Sequence, residues 1–248
     1  ARSCLAMGLS ELGDFVAALA AGHEAVAIAE ATGHPDTIQW ACYALGLTLL
    51  DRGDAEGASV LLERALSICR SAELPVYVPR AAAALGHASA VCGRDDGLAL
   101  LEGAAAASEA TSQGNVQARI LARLAEVYVL TGKVREAAER AARSLALARE
   151  RGVRGSEAHA LRVLAVALEA QSRSEDSRAS YDAALALASE LGMRPLAALC
   201  HLGLGRLERG AGRRGEAARH LVAAHETFQS LEMARGDREV STELALLG

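Results

Sequence analysis

Histidines, carboxylates and closely spaced glycines could build an active site, but the chain places few of them at a productive spacing. His220 and His225 lie five residues apart, off the four-residue step that aligns two histidines on one helix face for a metal ion. Asp95 and Asp96 are adjacent, which is typical of a solvated turn and a helix cap. These patterns predict surface or packing roles and no metal site.

Nucleotide-binding and nucleophile motifs are also missing from the sequence. A phosphate-binding loop requires G-x4-G-K-[ST], and the only lysine, Lys133, follows a turn glycine instead. Gly203 and Gly205 fall inside a predicted helix, where close helix packing explains them. No potential nucleophile has a general base at a spacing that would predict a catalytic pair. The sequence therefore predicts that the protein is not an enzyme and uses no cofactor.

Charge and composition narrow the class of partner. The formal net charge is −5, and every basic residue except Lys133 is an arginine. Since nucleic-acid binding depends on neutralising phosphates, an acidic chain without a basic run predicts no nucleic-acid partner. No run of apolar residues in the sequence is long enough to span a membrane, so no membrane association is predicted. The five scattered cysteines lack a C-x-x-C pair, which predicts small buried hydrophobic residues in a reducing, cytoplasmic compartment.

Small residues recur along the chain at an almost constant interval. The turn positions, spaced by 40 residues with one interval of 39, are Gly13, Gly53, Gly93, Gly132, Ser172 and Gly212. Each turn is preceded by a leucine next to a small residue: Leu5-Ala6, Leu45-Gly46, Leu85-Gly86, Leu124-Ala125, Leu164-Ala165 and Leu204-Gly205. Each is followed by another small residue: Ala18, Ala58, Gly97, Ala137, Ser177 and Ala217. This period predicts helical hairpins that bury their apolar faces by stacking.

The repeat predicts an all-α fold, a right-handed α-solenoid that occupies residues 1–248 as a single domain. The six hairpins are expected at about residues 2–32, 35–72, 75–112, 115–151, 155–191 and 195–230, and a capping helix at 237–247. The third hairpin is expected to be the softest, because Gly97 and Gly103 each cost roughly 1 kcal/mol in an exposed helix interior.

The repeat resembles the tetratricopeptide (TPR) family. The residues that match its signature at the family's internal spacing are Leu45, Gly46, Leu49, Ala58 and Leu62. The period departs from the family's value of about 34 residues, and its large aromatic residues are replaced by smaller ones. The long Ala- and Leu-rich repeats are similar to those in the C-terminal TPR regions of bacterial ATPase-linked cyclases and transcription activators. The most similar stretch is residues 192–205.

The resemblance implies a concave groove lined by the first helix of each hairpin. In the family's register, the groove side chains are Trp40, Tyr43, Leu47, Arg80, His87, Arg119, Glu126, His159, Arg162 and Arg206. An exposed Trp40–Tyr43 pair would anchor an apolar side chain of a peptide. Arg80, Arg119 and Arg162 would pair with carboxylates. The alternative is that Trp40 packs against the neighbouring hairpin and the arginines only solvate the groove.

Three functions follow from this interpretation. The first is a non-catalytic scaffold that binds a protein or peptide in the groove, as the regulatory module of a larger bacterial signalling or transcription-regulatory protein. The second is a small-molecule sensor that controls an attached ATPase or cyclase. The third is self-association through terminal repeats. The chain begins at Ala1 without Met, so we interpret it as a piece of a longer protein. Leu5 and Leu9 would be covered in that longer protein, and we expect them to be exposed in this piece.

Overall fold

Thirteen α-helices form the part of the chain that the computed structural model describes, residues 1–110 and 114–247. They are α1 (Arg2–Leu12), α2 (Phe15–Thr32), α3 (Pro35–Arg52), α4 (Ala55–Ser71), α5 (Val78–Val91), α6 (Asp96–Ala110), α7 (Gly114–Leu130), α8 (Val134–Glu150), α9 (Arg154–Ala170), α10 (Ser174–Glu190), α11 (Arg194–Gly210), α12 (Arg214–Ser230) and α13 (Ala234–Ala245). These residues contain no strand, which confirms the predicted all-α class. Ser112, where the third hairpin was predicted to end, lies outside the described residues.

The helices stack as a solenoid with an inner and an outer layer. Each odd-numbered helix from α1 to α11 packs against the following even-numbered helix, and α13 packs against α12. Each odd-numbered helix also contacts the next odd-numbered helix, so these helices form a continuous inner layer. In α13, Val240 is fully buried and Leu244 packs on the same apolar cluster. The structure confirms the predicted α-solenoid with a C-terminal capping helix.

Left-handed backbone conformations connect the helices at regular positions. All six predicted turn positions have positive φ, including Ser172 with φ 61°. Between hairpins, a second series has positive φ at Gly33, Glu73, Gly152, Gly192 and Glu232. Glycine adopts this conformation without steric cost, whereas in serine and glutamate the Cβ atom comes too close to the backbone and raises the energy. Sequence analysis missed the second series because two of its members are not glycine.

The predicted small residues allow close helix crossings. A Cβ atom added to Gly46 would lie 2.8 Å from Leu62 Cγ, and one added to Gly205 would lie 2.6 Å from Leu221 Cγ. Both distances are shorter than any ordinary carbon–carbon contact, so α3–α4 and α11–α12 could not approach this closely with a larger residue. The interpretation of these positions as crossing points is confirmed.

The first hairpin packs against the last hairpin and the capping helix, a contact that the sequence did not predict. Helix α1 touches α11. Phe15 is only 4% exposed and shares an apolar cluster with Leu231 and Met233. A Cβ atom on Gly13 would lie 3.0 Å from Leu231 Cδ2. The solenoid therefore closes on itself, and its inner layer encloses a channel where an open groove had been expected.

Helix α2 and its partner α1 keep apolar side chains on the surface. Leu5 and Val16 are exposed, whereas Leu9 is half-buried. Among the described helices, α2 alone is long and apolar enough to cross a membrane, a match that sequence analysis did not predict. A core helix of a soluble protein passes the same test, and α2 packs against α1 and α3 through buried alanines.

The cysteines occupy more varied positions than the sequence predicted. Cys42, Cys69 and Cys200 are buried, and Cys92 is half-buried. Cys4 is exposed on α1. The expectation that all five are buried hydrophobic residues is therefore wrong for Cys4, because no described residue covers the face of α1 that carries it.

Candidate functional site

A channel runs along the inner layer through three adjoining cavities of about 170, 290 and 200 Å³. The first and second cavities share Leu50, His87 and Arg162 in their walls. The first and third share Arg119 and Arg123. These wall residues come from α3, α5, α7 and α9, so the stacking of successive first helices creates the channel. Its wall carries many more charges than a hydrophobic core tolerates unpaired.

Glu11 lines the first cavity and links α1 to α7 and α9. Its carboxylate accepts a hydrogen bond from Arg119 Nη1 at 2.8 Å and contacts His159 Nε2 at 3.0 Å. Burial alone would raise the pKa of Glu11, but His159 and Arg119 outweigh this effect and hold the pKa well below its ordinary value of 4.5. Two of the predicted ligand-binding residues are thus engaged by a carboxylate of the chain itself.

Asp51 lies beside this cluster without a cationic partner within ion-pair distance among the described residues. Its Oδ2 atom accepts a hydrogen bond from Ser10 Oγ at 2.9 Å. Burial, and then the negative charge of Glu11, raise the pKa of Asp51. The two carboxylates therefore titrate in opposite directions from their ordinary values, because only Glu11 is directly paired with cations.

Glu126 organises the next part of the channel. Arg162 Nη2 forms an ion pair with it, and His87 Nε2 lies 3.2 Å from Glu126 Oε2. Burial, followed by the positive charges of Arg123 and Arg162, lowers the pKa of His87 to about 3, so its imidazole is neutral at pH 7. Among the described residues, His87 Nδ1 and Arg162 Nε find no hydrogen-bond partner although both atoms are buried.

We call the third cavity the aromatic cavity, after its wall of Trp40, Tyr43, Leu47, Arg80 and Arg123. The Trp40 and Tyr43 rings stack with centroids 5.5 Å apart. The Arg80 guanidinium lies 4.1 Å from the Trp40 centroid and 4.7 Å from the Tyr43 centroid, at cation–π distance. Tyr43 is only 4% exposed. The expected exposed Trp–Tyr pair is therefore only partly exposed: Tyr43 is buried, Trp40 is half-buried, and Arg80 lies over both rings.

Two arginines of the aromatic cavity lack an acidic partner. Arg80 Nε and Nη2 are buried without a hydrogen-bond partner among the described residues, and burial lowers the pKa of Arg80. Arg123 is only 8% exposed and forms neither a hydrogen bond nor an ion pair with any described residue. Arginines are rarely buried in this way unless they are paired. The aromatic cavity is consequently a site of uncompensated positive charge.

At the opposite end of the channel, Arg206 is occupied by the capping helix. Its Nε atom donates to Glu243 Oε1 at 2.9 Å, and its Nη2 atom donates to Glu239 Oε2 at 3.2 Å. Arg209 Nε also donates to Glu243. Arg206 therefore holds α13 in place with the same groups that had been expected to contact a ligand.

All ten predicted groove residues line one of the three cavities, but they form separate groups. The four aromatic-cavity members of the set lie together: Trp40, Tyr43, Leu47 and Arg80. Arg119 and His159 contact Glu11, His87 and Arg162 contact Glu126, and Arg206 of α11 pairs with glutamates of α13. Their binding of a ligand stays a prediction. The prediction omitted Arg123 and Asp51. Within the described residues, no group of three or more His, Cys, Asp or Glu side chains is arranged to hold a metal.

Comparison with known proteins finds similarity at the level of structure. No protein-family model and no curated protein matches the chain. A Rap protein in complex with competence and sporulation factor is similar with a TM-score of 0.70 and 14% identity, over 99% of this chain and 73% of that one. BtubC (BKLC) from P. vanneervenii is similar with a TM-score of 0.62 and 19% identity, over 86% and 91% of the two chains.

A third similar structure is the apo form of the quorum sensor NprR from B. thuringiensis, with a TM-score of 0.54 and 17% identity, over 95% of this chain and 72% of that one. At these identities the likeness shows the fold alone, a TPR-like helical solenoid. Function must therefore be argued from the channel of this chain.

Proposed function

We propose that this protein is a non-catalytic regulatory scaffold that binds a segment of a protein or peptide in its channel. The observation that carries the proposal is the uncompensated charge of the aromatic cavity, where Arg80 and Arg123 lack an acidic partner among the described residues. A binding protein keeps such groups unsatisfied because a ligand completes them. The similar Rap structure contains a bound factor, which supports a role in recognition.

The chemistry of the channel favours an extended, acidic ligand. Apolar side chains and guanidinium groups both line the first and third cavities. Arginine recognises carboxylates through two parallel hydrogen bonds, and stacked aromatic rings supply apolar contact area. Glu11 and Glu126 already neutralise part of the channel, so the free positive charge is concentrated at the aromatic cavity.

Selection from a random peptide library displayed on phage tests this proposal. Leu199, which borders the first and second cavities, is replaced by tryptophan to fill the channel. A matched Val60→Trp variant adds the same side chain at an exposed site on α4. Selected peptides are expected to bind the unchanged protein and Val60→Trp but not Leu199→Trp. Equal binding to both variants would place the contact outside the channel and contradict the proposal.

A small-molecule sensor is the second candidate, and the small volume of the aromatic cavity, about 200 Å³, favours it. In that case a metabolite would stabilise the native chain, since a ligand that binds only the folded state raises its melting temperature. A thermal-shift screen of metabolites measures this. Stabilisation by a metabolite together with a failed peptide selection would favour the sensor over the scaffold.

Attachment to an ATPase, a cyclase or a transcription activator is part of the same proposal. Its support is the resemblance of residues 192–205 and of the long repeats to such regions. Cloning the genomic region that encodes the chain and reading the complete open reading frame would test it. An open reading frame that encodes only this solenoid would contradict the proposal.

A further inference from the structure

The aromatic cavity has the composition of a site for a particular class of anion. Its walls are mostly carbon: Trp40, Tyr43 and Leu47 from α3 face Ile120 from α7. All of these side chains belong to helix interiors, where backbone N–H groups are already bonded within the helix. The hydrogen-bond donors that remain for a ligand therefore belong to side chains, and the strongest are guanidinium groups.

The two arginines that lack an acidic partner belong to different helices of this cavity. Arg80 lies on α5 and Arg123 on α7. Arg119, the third guanidinium in the wall, is already bonded to Glu11 at 2.8 Å. Arg123 is only 8% exposed as a residue and lines the cavity wall, whereas Arg80 Nε and Nη2 are buried atoms without a hydrogen-bond partner among the described residues. A buried cation without a counter-charge is costly, and an anionic ligand removes that cost.

We propose that the aromatic cavity binds a carboxylate carried on a short apolar group, with Arg80 and Arg123 holding the carboxylate and Trp40 and Leu47 covering the apolar part. Two planar guanidinium groups match the two oxygens of a carboxylate. This inference rests on the proposed function and specifies the ligand chemistry of one part of the channel.

The same chemistry can come from a free organic acid or from the terminal carboxylate of a peptide that ends in an apolar residue. Two pairs of probes distinguish these sources. One is 3-phenylpropanoate against the uncharged 3-phenylpropanamide. The other is N-acetyl-Gly-Gly-Phe with a free carboxylate against the same peptide with a C-terminal amide. Within each pair the apolar body is unchanged, so any difference in affinity reports on the carboxylate.

Titration calorimetry with the whole chain is the test. At least one carboxylate probe is expected to bind about tenfold or more tightly than its amide, which corresponds to roughly 1.4 kcal/mol. Arg123→Gln and Arg80→Gln are each expected to remove this preference. Arg135→Gln, which neutralises an exposed arginine on α8, is expected to leave it unchanged. Arg123→Lys, which keeps the charge but loses the planar fork, is expected to restore part of it.

The melting temperature of the unliganded variants supplies a second measurement. Because Arg123 bonds no described residue, Arg123→Gln is expected to melt at no lower a temperature than the unchanged protein while losing carboxylate binding. A structural role for Arg123 would instead lower the melting temperature.

Three outcomes would overturn the inference: equal binding of acids and amides, a preference that survives both Arg→Gln substitutions, or lower stability of unliganded Arg123→Gln. If selected peptides still bind the channel in any of these cases, the proposed scaffold function stands and only this assignment of the cavity fails. If neither the library nor the probes bind, both proposals fail.

Discussion

At the scale of single residues, the charges of the channel divide into paired and unpaired groups. Glu11 and Glu126 each hold two basic side chains, whereas Arg123 has no acidic partner among the described residues. The repeat itself carries a signal for Arg123. In the other hairpins, the residue before the recurring leucine is Cys4, Ala44, Ala84, Val163 or Gly203. A charged residue at a position that is otherwise small or apolar could have marked this site from the sequence.

Replacing Glu11 with glutamine is expected to lower the free energy of unfolding by about 1–2 kcal/mol at pH 7. The substitution leaves Arg119 and His159 without their counter-charge, and the partial exposure of the cluster keeps the loss below the value for a fully buried pair. Chemical denaturation measures the difference. Glu24→Gln is the control, because Glu24 pairs with Arg2 on the open surface, where such pairs contribute little.

The effect of Glu11 is expected to depend on pH. Its pKa is lower in the folded state than its ordinary value of 4.5, so the carboxylate stabilises the fold above that pH. The stabilisation is lost as the pH falls from 4.5 through the folded-state pKa. The difference between the unchanged protein and Glu11→Gln should therefore shrink in this acidic range. A difference that stays constant from pH 7 to pH 3 would contradict the assignment of charged pairs to Glu11.

At the scale of the helix and its turns, backbone conformation rather than side-chain contact determines which residue type is favoured at several positions. Ser172 and Gly212 occupy the same turn of neighbouring hairpins, with φ values of 61° and 75°. A Cβ atom on Gly212 would meet nothing within 4 Å. The difference between serine and glycine at these turns is therefore a matter of left-handed backbone strain alone.

Exchanging the two residues tests this equivalence. Ser172→Gly is expected to raise the free energy of unfolding by about 1 kcal/mol, and Gly212→Ser is expected to lower it by a similar amount. Thermal denaturation of the two single variants and the double variant measures both effects. A loss of stability in Ser172→Gly would show that the serine side chain contributes more than its backbone conformation costs.

Helix α6 contains two glycines for which the sequence predicted the same destabilising effect. The structure shows that their surroundings differ. A Cβ atom on Gly97 would lie 2.5 Å from Ala90 N and 2.6 Å from Gly86 O, so Gly97 is needed where α6 crosses α5. Gly103 is exposed, and a Cβ atom there would meet nothing within 4 Å. Only Gly103 weakens its helix without a compensating contact.

Alanine substitutions should therefore have opposite signs at these two positions. Gly103→Ala is expected to raise the free energy of unfolding by up to about 1 kcal/mol, through higher helix propensity. Gly97→Ala is expected to lower it by about 1–3 kcal/mol, because the backbones of α5 and α6 must move apart. Urea denaturation measures both changes. Equal stabilisation by the two substitutions would contradict the close crossing.

At the scale of the whole molecule, closure of the solenoid determines what the channel can do. Phe15 near the start of the chain packs with Leu231 and Met233 near its end. This contact brings Glu11 to Arg119 and His159, which follow it by 108 and 148 residues. An open solenoid would leave these groups in a wide groove, whereas closure makes a channel with buried charges.

Phe15→Ala is expected to open the molecule. The substitution removes a large buried side chain from the contact between the first and last hairpins and should lower the free energy of unfolding by about 3 kcal/mol. Small-angle X-ray scattering should show a larger radius of gyration for this variant. Tyr181→Ala removes a similarly buried ring on α10, in an apolar cluster that contains neither Phe15 nor the residues packed with it. This control should lose stability without expanding, and equal expansion of both variants would contradict a closure held by Phe15.

The sequence by itself determined the repeat, the helix pairs, the turn positions and the ten side chains of the inner layer. The repeat, the helix pairs and the turns follow from local rules: glycine tolerates positive φ, small residues allow close crossings, and apolar faces are buried by stacking. The ten side chains followed from the resemblance, through the register of the TPR family. Only the tertiary structure decided that the ends of the solenoid meet, that Glu11 occupies Arg119 and His159, and that Arg80 and Arg123 remain unpaired. Closure depends on small rotations accumulated over all the hairpins, and a sequence pattern that constrains neighbouring hairpins one pair at a time does not reveal their sum.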